Sequence, residues 1–349
     1  MAIPQTMRAA ILVEQRKPLV IADIEMPRSL EPGQVLVKVH CSGICGSQLG
    51  EIDGVKGEDR FLPHLLGHEG SGQVVETGPG VRHVKAADHV VLHWRKGLGI
   101  ESVAPKFKWD GKVVNAGWVT SFNDFAIVSE NRLTAIPADS DLEVAALFGC
   151  AVTTGFGVVV NDAKLTIGES VVIFGAGGVG LNIVQAAALV AGYPVIAVDL
   201  YDEKLKLAKS LGATHTINAS SQDAKQAIRD LLGPAGCDVF IDNTGNPEII
   251  RFGYDTVKPQ GRMVLVGVPR KGNETTIYTL PLHFGKTLRG SQGGEAQPHT
   301  DIPRYHDLYR KGRLELKSLV TQHFKLDDIN EAIAAMRDGR VAGRCLVMM

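Results

Sequence analysis

The chain has 349 residues, which is too long for one ordinary hydrophobic core and predicts two domains. Its formal net charge of -1 gives no electrostatic basis for nucleic acid as a partner, and 44% hydrophobic residues with frequent glycine are typical of an α/β protein. No apolar run reaches the roughly 18 residues of a membrane helix, and no secretory signal pattern is present, so we expect a cytoplasmic protein that binds no membrane.

The first 140 residues predict a compact β domain. Strand-like runs bounded by proline and glycine recur there, without helical periodicity of useful length. These runs are MRAAILVE, PLVIADIEMP, GQVLVKVHCSGI, GSGQVVETG and ADHVVLHW.

From residue 141 the pattern becomes helical, and 141–160 are expected to form a helical bridge between the domains. Strands and helices then alternate, which predicts a parallel sheet covered on both faces. The predicted strands are 171–175, 194–199, 214–217, 237–242 and 261–267, and the predicted helices are 178–190, 202–211, 222–232 and 247–257.

The repeat loosens after residue 268, where TTIYTLP predicts one more strand and KTLRGS its return. The last part of the chain predicts helix 303–312, strand 318–324, helix 326–337 and strand 343–348. Because this order departs from the repeat, we expect the C-terminal part to rejoin the β domain. The predicted domains are therefore 1–150 with 290–349, and 151–289.

The segment VVIFGAGGVG predicts a dinucleotide-binding turn between a strand and a helix. Gly175 permits the sharp turn, Gly177 lets the backbone approach a pyrophosphate, and Gly180 lets helix and strand pack closely. The helix that begins at Gly178 directs unpartnered N–H groups toward a diphosphate. Asp199, at the end of the next strand, can accept hydrogen bonds from both ribose hydroxyls and would repel a 2′-phosphate, which favours NAD. The alternative is a glycine-rich turn without a ligand.

A second set of residues has the chemistry of a metal site. Cys41 and Cys45 in CSGICGS, His68 in GHE and Cys150 in GC offer thiolate and imidazole groups, which suit Zn²⁺. Three protein ligands would leave open the fourth position that a catalytic zinc needs. The five cysteines of the chain are too few and too scattered for a disulfide framework. Residue types alone leave the alternative of buried cysteines and a surface pair between His68 and Glu69.

The segments GQVLVKVHCSGICGSQ, PHLLGHEGSGQVVETGPGV and GCAVTTGFG, followed by the dinucleotide unit, resemble the zinc-dependent medium-chain dehydrogenases, the alcohol dehydrogenase family. The resemblance covers nearly the whole chain. It implies an α/β fold with a discontinuous GroES-like catalytic domain and a Rossmann domain, assembled as a homodimer or homotetramer. The segments DIPRYHDLYRKGRLELKSLV and FKLDDINEAIAAMRDG are similar to the branch that includes glutathione- or mycothiol-dependent formaldehyde dehydrogenases.

The resemblance implies a role for each matching residue. Cys45, His68 and Cys150 would bind the catalytic zinc, Glu69 would lie close to it, and Ser47 would take the proton of the alcohol. The residues implied at the cofactor, besides Asp199 and the glycines, are Thr154, Val179, Lys204, Val266, Val268 and, near the pyrophosphate, Arg344.

The sequence departs from the family in a lobe at residues 92–122. Many relatives hold a structural zinc there with four cysteines, whereas here no cysteine lies between Cys45 and Cys150. We therefore expect one catalytic zinc per chain and no structural zinc. The lobe contains all three tryptophans, and aromatic packing could replace the metal. Alternatively, Trp94 with Arg95 or Lys96 selects a polar or anionic substrate such as a sugar, cyclitol or phosphorylated polyol.

Two further departures concern the surroundings of the metal. Gln48 stands where the family usually has an aspartate that orients His68, and its amide oxygen can still accept from the imidazole N–H. Gly50 stands where many members have a relay histidine, so the proton must pass from Ser47 to a ribose hydroxyl or water.

The sequence thus predicts a NAD- and zinc-dependent alcohol dehydrogenase that acts on a small secondary alcohol, polyol or sugar-like substrate. One alternative is a formaldehyde dehydrogenase that acts on thiol adducts. Another is a catalytically silent dinucleotide-binding protein, which the altered surroundings of His68 make conceivable.

Overall fold

The computed structural model describes residues 3–349, which divide into two compact units. Unit 1 comprises Met1–Cys150 with Gln297–Met349, and unit 2 comprises Ala151–Ala296. The predicted boundary at 289/290 differs from the unit boundary at 296/297, because the strand Thr287–Gly290 adds to the sheet of unit 2. The division into functional domains stays a prediction.

Unit 1 is β-rich, as the strand-like runs predicted. Before the first boundary its strands are β1 (Thr6–Leu12), β2 (Val20–Glu25), β3 (Gln34–Gly43), β4 (His64–Leu65), β5 (Glu69–Thr77), β6 (His89–His93), β7 (Lys106–Trp109), β8 (Lys112–Asn115), β9 (Phe125–Ser129) and β10 (Leu133–Ile136). Strands β1, β2, β7, β8 and β4 form a closed barrel, and β10, β6, β5 and β3 follow one another in a second sheet, with β9 also paired to β3.

Two short helices belong to this part of unit 1, α1 (Gly46–Ile52) and α2 (Leu142–Leu147). The Asp141 carboxylate caps α2 by accepting from the backbone N–H groups of Glu143 and Val144. The predicted bridge over 141–160 is not one helix. Helix α2 ends at Leu147, a turn follows over residues 148–150, and α3 (Ala151–Gly157) begins after it. A Cβ on Gly149 would lie 2.8 Å from the Glu69 Cα, so glycine is needed at the break.

Unit 2 is the predicted doubly wound sheet. All its strand pairs are parallel, and the strand order is β13-β12-β11-β14-β15-β16. The strands are β11 (Val171–Phe174), β12 (Val195–Asp199), β13 (His215–Asn218), β14 (Cys237–Asp242), β15 (Val257–Leu265) and β16 (Thr287–Gly290), and the helices after α3 are α4 (Gly178–Leu189), α5 (Asp202–Ser210), α6 (Ala224–Leu232) and α7 (Pro247–Thr256). The order reverses beside β11, where such sheets bind dinucleotides.

The strand predicted for TTIYTLP is wrong. Residues 275–279 have no regular structure, and a 3-10 helix follows at Leu280–Phe284. Strand β16 takes the position beside β15 at the edge of the sheet, and residues 275–279 pair with no strand described within residues 3–349. The predicted return at KTLRGS is β16.

The C-terminal elements are α8 (Pro298–Arg310), β17 (Val320–Lys325), α9 (Ile329–Arg337) and β18 (Arg344–Met348). Strand β18 pairs with β3 and β17, so the C-terminal part rejoins unit 1, and the predicted fold class is confirmed. Helix α8 begins before the predicted residue 303 because Pro298 fits a first helical turn, where its missing N–H costs nothing. Among the residues described, no helix has the length and apolar character to cross a membrane.

Candidate functional site

Unit 1 brings Cys45, His68 and Cys150 together at the ends of paired elements. Cys45 follows β3 and is the N-cap residue of α1, and His68 directly precedes β5, which pairs with β3. Cys150 lies at the break after α2. One donor atom from each side chain lies within 4.8 Å of the other two. The structure therefore brings together three residues that lie in separate segments of the chain and that the family resemblance implied as metal ligands.

The electrostatics of this cluster favour thiolate. The neighbouring Cys150 thiol lowers the pKa of Cys45 well below its ordinary value against the opposing effect of burial, and His68 and Arg344 lower it further. Thiolate is the form of cysteine that binds metals. Two cysteine sulfurs and one imidazole nitrogen are a zinc donor set, so the residues present fit Zn²⁺.

Gln48 fixes the orientation of the His68 ring. Its buried side chain contacts His68 Nδ1 through Nε2, while its Oε1 accepts from the Cys45 backbone N–H at 3.1 Å. The His68 Nε2 atom is buried and makes no hydrogen bond to any residue described, which leaves it available as a ligand. The expected contact of the amide oxygen with the ring is not formed, because the Cys45 N–H holds that oxygen. A neutral ring that binds a metal through Nε2 would carry its proton on Nδ1, which faces the Gln48 amide.

Glu69 and Arg344 form an ion pair that the sequence did not predict. Both side chains are buried, with 0% and 4% of their surfaces exposed. Arg344 is the first residue of β18. Strand β18 and strand β5 pair with opposite edges of β3, so the Arg344 and Glu69 side chains meet over β3. A Cβ on Gly43 would come within 2.9 Å of Glu69 Oε1 and 3.0 Å of Arg344 Nη2, so this glycine makes room for the pair. The predicted pyrophosphate contact of Arg344 stays a prediction.

Ser47 is the second residue of α1, two positions after Cys45. Its Oγ atom is buried and has no hydrogen-bond partner within residues 3–349. A buried hydroxyl without a partner is costly unless a ligand satisfies it. Its chemistry therefore fits a group that meets a substrate hydroxyl.

Trp94 lies beside the cluster. Its ring centroid is 6.4 Å from that of His68, with 58° between the ring planes. The Arg95 guanidinium carbon is 5.9 Å from the Trp94 ring centroid. Lys96 instead points its ammonium toward Glu101 at 3.6 Å. Trp94 is thus the residue among Trp94, Arg95 and Lys96 whose ring lies against His68, a candidate metal ligand.

The lobe at residues 92–122 is anchored by a carboxylate that sequence reasoning missed. Glu130, 1% exposed, accepts the backbone N–H groups of Arg82, His83 and Ile100 at 2.6, 2.8 and 2.7 Å. A cation–π contact is present as well, because the Arg132 guanidinium carbon lies 5.3 Å from the Trp118 ring centroid. A glutamate at a strand end gives no sequence signal for this role, because its partners come from distant loops.

The glycine turn of unit 2 has the predicted backbone. Gly175 has φ of +96°, which favours glycine, and a Cβ on Gly180 would collide with the Gly175 carbonyl oxygen. A Cβ on Gly177 would meet no atom within 4 Å. The protein itself therefore does not require glycine at 177, whereas a pyrophosphate in close approach would.

Asp199 ends β12 beside this turn. Its Oδ2 accepts the Ala176 backbone N–H at 2.7 Å, and its Oδ1 accepts that of Leu200 at 2.8 Å. Lys204 holds its ammonium 3.8 Å from Oδ1. The carboxylate thus braces the turn and remains acceptor-rich, since each oxygen has more than one lone pair.

The other predicted cofactor residues of unit 2 differ in exposure. Thr154 is buried in α3, Val179 is half-buried in the first turn of α4, and Val268 is 54% exposed. The Val266 backbone N–H donates to the Asp242 carbonyl at 2.8 Å. Their roles stay predictions.

Comparison with known proteins identifies related families along most of the chain. A family model described as alcohol dehydrogenase GroES-like domain matches residues 31–138, and one described as zinc-binding dehydrogenase matches residues 178–311. The chain is 31% identical to S-(hydroxymethyl)glutathione dehydrogenase of Paracoccus denitrificans, over 95% of this chain and 97% of that one. It is 33% identical to the protein of the same name from Synechocystis, with the same coverage.

Solved structures give the same family. An alcohol dehydrogenase zinc-binding domain protein from Burkholderia ambifaria matches with a TM-score of 0.89 and 30% identity, over 99% of each chain. Benzyl alcohol dehydrogenase from Acinetobacter calcoaceticus matches with a TM-score of 0.88 and 29% identity, over 99% of this chain and 100% of that one.

Proposed function

Because the chain belongs to the zinc-dependent medium-chain dehydrogenases, the alcohol dehydrogenase family of NAD-linked oxidoreductases, we propose that it oxidises a secondary alcohol, polyol or sugar-like alcohol. The observation that carries this proposal is the cluster of Cys45, His68 and Cys150, with donor atoms within 4.8 Å of one another. When bound, Zn²⁺ supplies a Lewis acid for the alcohol oxygen and NAD⁺ supplies the hydride acceptor.

Ser47 takes the proton of the alcohol hydroxyl. Its buried Oγ has no partner among the described residues, so a lone pair is available to accept that proton. The alcohol carbon loses a hydride and its oxygen loses a proton, which leaves a carbonyl product, NADH and a proton. Gly50 offers no side chain for a relay, so Ser47 passes the proton to a ribose hydroxyl or to water.

NAD binds at the glycine turn of unit 2. The open space beside Gly177 accommodates the pyrophosphate, and Asp199 with Lys204 holds the adenosine ribose. Thr154, Val179, Val266 and Val268 are assigned to the nicotinamide. Arg344 keeps its assignment to the pyrophosphate, because a guanidinium has more donors than one carboxylate oxygen of Glu69 can use.

Trp94 contributes to the choice of substrate. An indole beside His68 offers a flat apolar face, which suits the C–H face of a sugar or cyclitol, and Arg95 next to it favours a polar or anionic substituent. Unchanged substrate preference in both Trp94→Ala and Arg95→Ala would contradict this assignment.

A second candidate is oxidation of an S-hydroxymethyl thiol adduct. It is favoured by the 31% and 33% identity to proteins named S-(hydroxymethyl)glutathione dehydrogenase. Such a substrate is also an alcohol, so the roles of Ser47 and of the metal ligands remain the same. Only the groups that recognise the rest of the substrate differ.

We further propose one catalytic zinc per chain and no structural zinc. No cysteine lies between Cys45 and Cys150, and the Glu130 carboxylate ties the lobe to the loop at Arg82 and His83. We also propose a homodimer or homotetramer. Unit 2 exposes a run of large apolar side chains, including Tyr278 at 68% and Phe284 at 68%, which is unusual for a monomer surface. A cytoplasmic location stays a prediction.

The test is a substrate panel on purified protein of measured zinc content. Secondary alcohols, polyols, sugars and S-hydroxymethyl thiols are each offered with NAD⁺, and NADH absorbance is recorded. We expect turnover of secondary alcohols or polyols that is lost on zinc chelation. Ser47→Ala is expected to lower kcat by about 100-fold or more with zinc content and NADH affinity retained.

The same panel separates the alternatives. Turnover restricted to S-hydroxymethyl thiols would identify the second candidate. Stoichiometric binding of zinc and NAD without turnover of any alcohol would identify a silent dinucleotide-binding protein and overturn the proposal.

A further inference from the structure

His93 is a buried imidazole that the proposed reaction does not use. It is the last residue of β6 and directly precedes Trp94, and only 1% of its surface is exposed. In the sheet it lies opposite Glu69 on β5. His93 is thus paired with β5 through Glu69 and is bonded in the chain to Trp94.

Both nitrogens of the His93 ring have partners. Nδ1 is 2.7 Å from the Arg95 carbonyl oxygen, and Nε2 is 3.0 Å from Thr134 Oγ1. A carbonyl oxygen only accepts, so Nδ1 carries the proton and donates, and Nε2 accepts from the Thr134 hydroxyl. Burial lowers the pKa of His93 to about 4, so this neutral tautomer persists across the working pH range.

These two hydrogen bonds connect rigid sheet to the turn around Trp94. Thr134 is in β10 and lies opposite Val91 of β6, so its backbone is held by strand pairing. The bond from Nδ1 to the Arg95 carbonyl closes the turn over residues 93–95, with Trp94 at its centre. Gly97 borders the ring, because a Cβ on that residue would lie 3.3 Å from His93 Cε1. The ring is therefore held by one hydrogen bond at each of its nitrogens.

We propose that His93 is a positioning residue, which closes the turn over residues 93–95 and thereby holds the Trp94 indole beside His68, where the substrate binds. This inference rests on the proposed function, because it assigns Trp94 to the substrate site. It adds a residue that contacts neither substrate nor metal and determines specificity through its neighbour. Thr134 acts with it by holding the ring.

Kinetics of four variants test the proposal with a secondary alcohol that the panel has identified. His93→Phe keeps a ring and removes both hydrogen bonds, and Thr134→Val keeps the shape and removes one. Both are expected to raise KM, His93→Phe by about 10-fold, with kcat changed less than about 2-fold. Thr134→Ser keeps the hydroxyl and is expected to keep the wild-type KM. His89→Phe makes the same substitution at the start of β6 and is the matched control.

A double variant separates positioning from a general structural role. If His93 acts through Trp94, His93→Phe changes KM by less than about 2-fold in a Trp94→Ala background. An equal effect of His93→Phe in both backgrounds would overturn the proposal.

A spectroscopic readout tests the same idea without turnover. Trp109→Phe and Trp118→Phe leave Trp94 as the only tryptophan, and acrylamide quenching of its fluorescence reports its exposure. Quenching is expected to increase in Thr134→Val and His93→Phe and to stay unchanged in Thr134→Ser and His89→Phe. Unchanged quenching in Thr134→Val and His93→Phe would overturn the positioning role. Absence of NAD-dependent turnover in the wild type would refute only the proposed function, because the fluorescence result does not depend on it.

Discussion

Gln48 is the residue through which this chain alters the environment of His68, which we propose as a metal ligand. A carboxylate at that position would accept the Nδ1 proton of His68 with a full negative charge, whereas an amide accepts it without charge. In the structure the amide oxygen is engaged by the Cys45 N–H at 3.1 Å.

We predict that Gln48→Asp binds zinc more tightly than the wild type and Gln48→Leu more weakly, by about 10-fold in each direction. The charged oxygen stabilises the protonated Nδ1, and leucine offers it no acceptor. Competition with a chromophoric chelator measures the zinc affinity. The prediction fails if the three proteins bind zinc equally.

At the scale of elements, the glycine turn separates what the fold requires from what the ligand requires. Gly180 is needed by the protein, because a Cβ there meets the Gly175 carbonyl oxygen. Gly177 has φ of -74° and open space beside its Cα, so alanine fits its backbone. Glycine is therefore required at 180 by the packing of the protein, and at 177 only by the ligand that we propose.

We therefore predict opposite outcomes for two matched variants. Gly177→Ala is expected to keep the thermal stability of the wild type and to weaken NADH binding by about 10-fold or more, since its methyl group occupies space that we assign to the pyrophosphate. Gly180→Ala is expected to lower the free energy of unfolding by about 1–3 kcal/mol through overpacking. Calorimetry and NADH fluorescence titration measure the two quantities. Retained NADH affinity in Gly177→Ala would contradict the assignment.

Glu130 anchors the lobe at residues 92–122, and its ionisation makes the stability of the protein depend on pH. Burial opposes ionisation, but the backbone N–H groups of Arg82, Ile100 and His83 prevail and hold the pKa of Glu130 below its ordinary value. A carboxylate with a lowered folded-state pKa stabilises the protein above its unfolded pKa of about 4.3, and this contribution is lost as the pH falls through the folded pKa.

Glu130→Gln is predicted to lower the free energy of unfolding by about 1–3 kcal/mol at pH 7, because both carboxylate oxygens accept backbone N–H groups and an amide keeps one accepting oxygen, without charge. The difference from the wild type should shrink as the pH falls below the unfolded-state pKa of about 4.3 and through the lower folded-state pKa, where the wild-type carboxylate also loses its charge. Urea unfolding at several pH values measures this, and exposed Glu25→Gln is the control. Zinc content should stay at one per chain, and two zincs per chain in the wild type would contradict the absence of a structural metal.

For the molecule as a whole, the exposed apolar surface of unit 2 is the feature that a single chain leaves unexplained. Besides Tyr278 and Phe284, Leu280 is 48% exposed, and the preceding residues 275–279 have β-forming sequence without a strand partner. An assembly of identical chains would cover such side chains and could supply the missing backbone partners.

We predict that Phe284→Glu shifts the protein toward the monomer in sedimentation velocity at micromolar concentration, because a charge buried without a partner opposes association. Ile167→Glu, at a position of unit 2 that is 84% exposed, should leave the oligomeric state unchanged. A wild type that sediments as a monomer would refute both the proposed oligomer and this prediction.

The sequence by itself determined the features that depend on neighbouring residues. Apolar runs predicted β1, β2, β3, β5 and β6 of unit 1 and the strands of unit 2, whereas β4 and β7 to β10 were not predicted. The spacing of Gly175 and Gly180 predicted a turn whose backbone the structure confirms, because positive φ and close approach are local steric properties. The resemblance to a family brought Cys45, His68 and Cys150 into one set, which residue types alone left open. The TTIYTLP segment failed because β propensity does not say whether a partner strand exists.

Only the tertiary structure decided how distant residues meet. The Glu69–Arg344 pair depends on β18 pairing with β3, the Glu130 anchor depends on loops from two other segments, and the His68–Trp94 contact depends on the ends of neighbouring strands. Each of these contacts joins residues that are far apart in the chain, so its energy is set by strand register and burial. Neither quantity can be read from the spacing of residues within one segment.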